Sequence, residues 1–222
     1  MYDQTRTSSS PNPKEKPLPT GNRAKSKERN RQKILESATK LFRERGFEAA
    51  TLRDIARGAG LSTGALFANF SDKNEIFLTV IEEENARVIH VMRDAHDPDL
   101  TLPERLRVQM MRAYETAQIN ARLILSAFVM KWSHDASSPN EIARMSDQVR
   151  FALCDTLKAA RDRRELPESV QPEAASEILE DLCFANLRRA FQSSDDHGSF
   201  DMPMLSERVA FQINVVVAGL KA

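Results

Sequence analysis

The sequence predicts an all-α chain of about nine helices, and three observations support this fold class. Apolar residues recur at spacings of three and four along most of the chain, as they do on the buried face of a helix. Residues that favour helix starts, such as Ser, Thr and Asp, precede several of these stretches, and Gly or Pro follows others. No stretch shows the alternation of apolar and polar residues that a half-buried strand requires.

The first predicted helix follows a polar segment. Residues 1–22 are rich in Ser, Pro and Lys and carry almost no apolar side chains, so we expect a disordered tail. A basic run from Arg23 to Lys33 then forms an arm that leads into a helix whose apolar period begins near Arg31. Gly46 is expected to end this helix.

Two short helices and one long helix come next. Thr51 is a suitable N-cap for the second helix, and Ser62 for a third helix that ends near Phe70. Ser71 or Asp72 then caps the long fourth helix.

The rest of the chain predicts about five further helices. A strongly apolar stretch at residues 123–132 is typical of a mostly buried helix. The other predicted helices start near Thr101, Ser138, Pro172 and Met204.

Composition excludes several classes of protein. No apolar run approaches the length of a membrane span, and the polar N-terminus lacks the apolar region of a secretory signal. Two cysteines rule out a disulfide framework or a Cys-rich zinc module, and no Gly-rich phosphate loop is present. Because acidic residues and histidines are scattered, we expect no catalytic residues, no metal site and no cofactor, and therefore not an enzyme.

Charge is divided unevenly along the chain. Residues 1–80 hold 15 Lys and Arg against nine Asp and Glu, whereas residues 81–222 hold 17 against 23. This asymmetry indicates that the N-terminal part binds a polyanion. A solvated basic tail would give the same counts, so charge alone leaves both interpretations open.

The strongest functional indication is a spacing within residues 51–70. Ala56, Gly60 and Leu66 have the spacing of a helix-turn-helix: the small residue lets two helices approach, the glycine accepts a positive φ, and the leucine fills the seam. In that geometry the helix starting near Ser62 would enter the major groove of DNA. The spacing also occurs in αα-hairpins of ordinary helical cores, so it does not by itself distinguish a DNA-binding helix-turn-helix from such a hairpin.

The surrounding residues favour the DNA-binding helix-turn-helix. They continue the motif on both sides, with Leu41-Phe42, Gly46-Phe47, Thr51-Leu52, Ile55-Ala56, Gly60 to Leu66, and Phe70, Lys73, Ile76 and Phe77. Through these residues, segment 31–81 closely resembles the N-terminal domain of the TetR/AcrR family of bacterial transcriptional regulators. The resemblance implies a basic arm and helix-turn-helix DNA-binding domain at residues 23–80, and a helical effector-binding and dimerisation domain at residues 81–222.

The resemblance also implies which residues contact DNA. Thr51 would contact a phosphate at the start of the second helix. Ser62, Thr63 and Gly64 would open the recognition helix, with Thr63 reaching a base edge or a phosphate and Gly64 allowing a close backbone approach. Lys73 matches the phosphate-contacting lysine of the family.

Two residues of the recognition helix depart from the family pattern. Phe67 and Asn69 stand where the family more often has Tyr and His. The ring of Phe67 can still touch a thymine methyl, and Asn69 can donate a hydrogen bond where a histidine would. These two departures affect only the details of contact with the DNA backbone, and we still expect the chain to bind DNA.

For the second domain, the resemblance implies a pocket for a small apolar effector. Bulky and adaptable side chains suit such a pocket, although most side chains of this kind form cores. The candidates in the helices after the fourth are Met110, Tyr114, Phe128, Trp132, Phe151 and Phe184. A bound ligand would displace the fourth helix and release the protein from its operator.

The resemblance further implies a homodimer that binds a palindromic operator in double-stranded DNA. The last two helices would pair with those of a second copy, and the final helix carries a suitable apolar stripe. Its members are Val209, Ile213, Val216, Val217 and Leu220. Such a regulator is expected in the cytoplasm, at the nucleoid and not at a membrane.

Two other modes of control remain open from the sequence. Cys154 and Cys183 would be the switch of a redox sensor, although both fall in apolar stretches where buried, inert cysteines are common. A protein partner in place of a small ligand is the second alternative, and the lack of a cavity behind the fourth helix would favour it.

Overall fold

Nine α-helices, and no strand, account for most of the residues that the computed structural model describes, namely 21–95, 97–132, 139–193 and 200–222. This confirms the all-α class. The helices are α1 Gly21–Ala49, α2 Leu52–Gly58, α3 Thr63–Phe67, α4 Lys73–Asp94, α5 Leu102–Ala117, α6 Ala121–Trp132, α7 Pro139–Asp162, α8 Pro172–Gln192 and α9 Met202–Lys221, with a 3₁₀ turn at Gln118–Asn120 between α5 and α6.

The prediction of a basic arm before the first helix was wrong. Helix α1 begins at Gly21, well before the expected start near Arg31, so the run from Arg23 to Arg29 is helical. The reason is local: this segment contains no proline and is rich in Arg, Lys, Glu and Ala, which are good helix formers. Residues 1–20 of the expected tail lie outside the described residues.

Gly46 interrupts α1 as predicted. Its φ of 80° and ψ of 169° lie outside the helical region, in a conformation that glycine adopts without a steric penalty. The chain therefore turns, and Phe47 packs beside Phe42 with 5.7 Å between ring centroids. Phe77 of α4 completes the cluster, at 5.5 Å from Phe42 and 4.6 Å from Phe47. These three rings fix the end of α1 against the start of α4.

The predicted caps of α2 and α3 are confirmed. Thr51 Oγ1 accepts a hydrogen bond from the Asp54 amide at 3.1 Å, and Ser62 Oγ accepts one from the Ala65 amide at 3.1 Å. Gly60 has a φ of +68°, as the turn requires. The expected end of α3 near Phe70 was too late, because the helix stops at Phe67 and the chain turns so that Phe70 is buried.

Two clusters of buried side chains form the interior. The first joins α1, α2 and α3 to the start of α4, and it also includes Leu123 and Ala127 of α6. The second joins the later part of α4 to α5, α7, α8 and α9. Helix α4 thus belongs to both clusters, and the domain boundary at residue 80 stays a prediction.

Several contacts set the ends of the helices around α4. Asp72, rather than Ser71, caps α4 by accepting a hydrogen bond from the Glu75 amide at 2.8 Å. Arg122 of α6 donates to the Glu44 carbonyl of α1 at 3.1 Å. Helix α6 therefore contacts the first cluster through both its apolar face and this hydrogen bond.

Within the described ranges, no helix is both long and apolar enough to cross a membrane.

We expect Gly60→Ala to lower the free energy of unfolding by about 1 kcal/mol, because an alanine is strained at this positive φ even though the space around it is open. Urea unfolding followed by circular dichroism measures the change. Gly64→Ala is the matched control, since Gly64 lies inside α3 and alanine favours helix. An equal loss of stability in both variants would contradict the assigned role of Gly60.

Candidate DNA interface and internal cavity

The residues predicted to contact DNA lie mostly on the surface formed by α2, α3 and the start of α4. Thr51, Ser62, Thr63 and Gly64 are exposed. Behind them, Leu66 and Ala56 are buried, so the two helices pack on each other while the N-terminal end of α3 stays open to solvent. The helix-turn-helix geometry that the spacing predicted is therefore present.

The hydroxyl of Thr51 is already hydrogen-bonded within α2. It accepts from the Asp54 amide and donates to Asp54 Oδ2 at 2.8 Å, while Asp54 pairs with Arg57. A phosphate at this position would have to replace the Asp54 carboxylate as the acceptor. Arg53, which the sequence analysis did not select, is exposed one residue after the start of α2, and its position two residues after the N-cap was the available signal.

The two departures from the family pattern occupy different environments. Phe67 is 52% exposed, so its ring is open to solvent. Asn69 instead turns back onto α3, where its Nδ2 donates to the Ala65 carbonyl at 2.8 Å. Its Oδ1 is buried without a hydrogen-bond partner among the described residues.

Arg31 holds the C-terminal end of the recognition helix. Its guanidinium lies 4.2 Å from the centroid of the Phe70 ring, and Nη1 approaches the Asn69 carbonyl at 3.4 Å. Stacking of a guanidinium on an aromatic face stabilises such a contact. The sequence indicated Arg31 only as part of the basic run and as the start of the first helix, because its partners lie far along the chain.

Lys73 has a structural role that its sequence position did not indicate. Its Nζ lies 2.9 Å from the Phe47 carbonyl, 3.2 Å from that of Ala50 and 3.3 Å from that of Glu48, at the C-terminal end of α1. It also lies 4.3 Å from the centroid of the Phe47 ring. A phosphate contact would therefore have to displace at least one of these carbonyls, and that contact stays a prediction.

A cavity of about 90 Å³ lies among α4, α5, α6, α7 and α8. Its wall is almost entirely apolar. The lining residues are Ile81, Glu84, Asn85, Val88, Ala113, Tyr114, Ala117, Ile124, Ala127, Met145, Ser146, Val149, Cys183, Phe184 and Leu187.

Only part of the predicted ligand-binding set lines this cavity. Tyr114 and Phe184 do, whereas Met110 is buried in the second cluster and Phe151 is 54% exposed on α7. The side chains of Phe128 and Trp132 lie outside the described residues.

Several wall residues that the sequence did not indicate have small side chains. Ala113 and Ala117 stand four residues apart on α5, and Ala127 faces the cavity from α6. A search for bulky side chains does not find such positions, because space remains where side chains are short. The spacing of the two alanines was the available signal.

The cavity directly adjoins the first buried cluster. Ile81 of α4 and Ala127 of α6 line the cavity and also belong to the cluster that supports α2 and α3. The cavity wall and the cluster beneath the helix-turn-helix therefore share these two residues.

Both thiols are buried, which argues against a redox switch. Cys154 is 4% exposed and Cys183 is 5% exposed. Burial raises the pKa of the Cys183 thiol to about 11, so it is not a thiolate at neutral pH. Tyr114, whose hydroxyl donates to the Cys183 carbonyl at 3.1 Å, is likewise buried, and burial raises its pKa well above the usual value.

Comparison with known proteins places the same residues in a regulator family. Residues 34–80 match the family model described as bacterial regulatory proteins, tetR family. The chain is 42% identical over 146 residues to the HTH-type transcriptional repressor AcnR of Corynebacterium glutamicum, covering 64% of this chain and 73% of that protein. It is 31% identical over 150 residues to AcnR of Corynebacterium efficiens, with the same coverage.

A solved structure shows the same fold at lower sequence identity. The transcriptional regulator FadR of Bacillus subtilis, solved in complex with stearoyl-CoA, superposes with a TM-score of 0.69 at 17% identity. The match covers 85% of this chain and 98% of that one. At this identity the likeness establishes the fold alone.

We expect Lys73→Ala to lower the free energy of unfolding by about 1–2 kcal/mol, because three carbonyls lose a charged donor. If Lys73 also contacts a phosphate, binding should weaken for all DNA sequences alike, and the slope of log affinity against log salt should become shallower by about one. Chemical unfolding and fluorescence anisotropy over a salt series measure the two effects separately.

Lys221→Ala, which removes the same charge from the exposed end of α9, is the control and should change neither quantity. A less stable Lys73→Ala protein with an unchanged salt slope would contradict the phosphate contact and leave Lys73 as an anchor of α4 only.

Proposed function

Because the chain belongs to the TetR family of bacterial regulatory proteins, DNA-binding regulators of transcription, we propose that it is a homodimeric repressor that a small apolar ligand releases from its operator. The proposal that a ligand controls DNA binding rests on one observation, the apolar cavity. The wall of this cavity shares residues with the cluster beneath the helix-turn-helix. The names of the AcnR relatives support repression, and the FadR complex supports control by a ligand with a long apolar part.

In this proposal α3 enters the major groove of DNA. Thr63 and Gly64 stand at its exposed N-terminal end, where a backbone without a side chain can approach base edges closely. The exposed ring of Phe67 is available for a thymine methyl. Thr51 and Arg53 would contact the phosphates beside the groove.

Dimerisation uses the outer face of α8 and α9. Most of the predicted apolar stripe on α9 is buried inside the subunit and is not available to a second copy. Val209, Ile213 and Val217 all belong to the second cluster. The outer face instead carries exposed apolar side chains. The Phe211 side chain is 70% exposed, and those of Val215 and Ile178 are each more than half exposed. Large apolar side chains exposed on two neighbouring helices are typical of a surface that pairs with a second copy.

The ligand acts through α4. Successive major grooves on one face of DNA lie about 34–36 Å apart, so both recognition helices bind only within a narrow range of separation. Ligand in the cavity displaces α4 and with it the helix-turn-helix. It weakens DNA binding only to the extent that it prefers the displaced conformation.

We expect selection from a random DNA pool to enrich an inverted repeat, with binding at least about 10³-fold tighter than to scrambled DNA at physiological salt. DNA upstream of the gene that encodes this chain is a second probe. Fluorescence anisotropy measures both affinities.

Phe211→Asp provides a matched control, because this exposed side chain can be charged without disturbing the subunit core. The variant should be monomeric by sedimentation and should bind the full repeat no better than a single half-site. Failure to enrich any sequence would contradict specific DNA binding, and full affinity in a monomeric variant would contradict the dimer.

A further inference from the structure

The cavity contains one carboxylate. Among the lining residues that the structure describes, Glu84 is the only charged one, and it is 5% exposed. Burial of a carboxylate in an apolar wall is costly unless the group is paired and hydrogen-bonded.

Among the residues that the structure describes, Arg87 on the solvent side is the partner of Glu84. Its Oε1 contacts Nη2 of Arg87, one turn further along α4, while its Oε2 lies 3.4 Å from Arg87 Nε, a long hydrogen bond. The Arg87 side chain is 57% exposed, so its charge is screened by water. Oε2 therefore retains the capacity to accept a hydrogen bond from within the cavity.

Two other polar groups at the wall, those of Tyr114 and Asn85, donate to partners within the protein. The Tyr114 hydroxyl donates to the Cys183 carbonyl, and Asn85 Nδ2 donates to Gln148 Oε1 at 2.8 Å. A ligand with a polar end therefore finds its strongest acceptor at Glu84.

We propose that the effector carries a hydrogen-bond donor, best an amine, on an apolar body, and that its donor binds Glu84. This rests on the proposed function, since it assigns the chemistry of the same cavity. A carboxylate ligand would lie beside Glu84 in an apolar environment, where like charges repel strongly.

The size of the cavity links this chemistry to the release of DNA. About 90 Å³ is smaller than the cavity of about 150 Å³ that accepts a benzene molecule in another protein. A six-carbon amine therefore exceeds the volume of the cavity, and we expect it to widen the space between α4 and its neighbours when it binds. Binding at Glu84 thus holds the apolar body where it separates the helices.

Three probes of equal chain length test the proposal: hexylamine, hexan-1-ol and hexanoate, titrated into the full-length protein at pH 7 by isothermal calorimetry. We expect hexylamine to bind at least about tenfold more tightly than hexanoate, with hexanol between them. Glu84→Gln should remove most of this preference. Glu82→Gln, an exposed position on the same helix, should retain it.

Arg87→Gln gives a second, independent variant, because removal of the outer partner should increase the preference for the amine without altering the cavity wall. Hexanoate or hexanol binding as tightly as hexylamine in the wild-type protein would overturn the proposal while leaving the cavity as an effector site. The absence of binding by all three probes would overturn both this proposal and the ligand-dependent part of the proposed function.

Discussion

Helix α4 packs into two buried clusters at once, and the arrangement of the described chain depends on this. Its first turns supply Ile76, Phe77 and Val80 to the cluster beneath α2 and α3, and its later turns supply Ile89 and Met92 to the cluster formed with α5 and the helices after it. Because packed interiors transmit displacement instead of absorbing it, a shift of α4 must change both clusters. The cavity lies beside the middle of this helix, where the two clusters meet.

The N-terminal end of α4 is fixed firmly to the DNA-binding helices. Lys73 binds the carbonyls at the end of α1, and Phe77 packs against Phe42 and Phe47. Helix α6 adds a second connection, since Arg122 binds the Glu44 carbonyl and Ala127 faces the cavity. Two connections therefore join the helix-turn-helix to α4 and α6, as the proposed ligand-dependent change in the separation of two recognition helices requires.

The helix-turn-helix could be predicted from the sequence because its determinants are local. Thr51 and Ser62 cap helices that start one residue later. Gly60 adopts the positive φ that the turn between these two helices requires. The cavity could not be predicted in the same way, because its wall combines five helices and depends on where short side chains such as Ala113 leave space. The anchoring role of Lys73 likewise depends on carbonyls more than twenty residues away. The early start of α1 could not be predicted from charge, because a basic run is compatible with a helix and with an extended arm.

The coupling of cavity and DNA interface can be tested without knowing the effector, by filling the cavity with a larger side chain. Ala113→Leu on α5 places extra volume in the cavity at a position remote in sequence from the helix-turn-helix. Ala152→Leu, also buried in the second cluster but outside the cavity wall, is the matched control for overpacking. We predict that Ala113→Leu has a lower affinity for the selected operator at a stability similar to that of the control, and that the control keeps its affinity. Unchanged operator affinity in a folded, dimeric Ala113→Leu protein would contradict it.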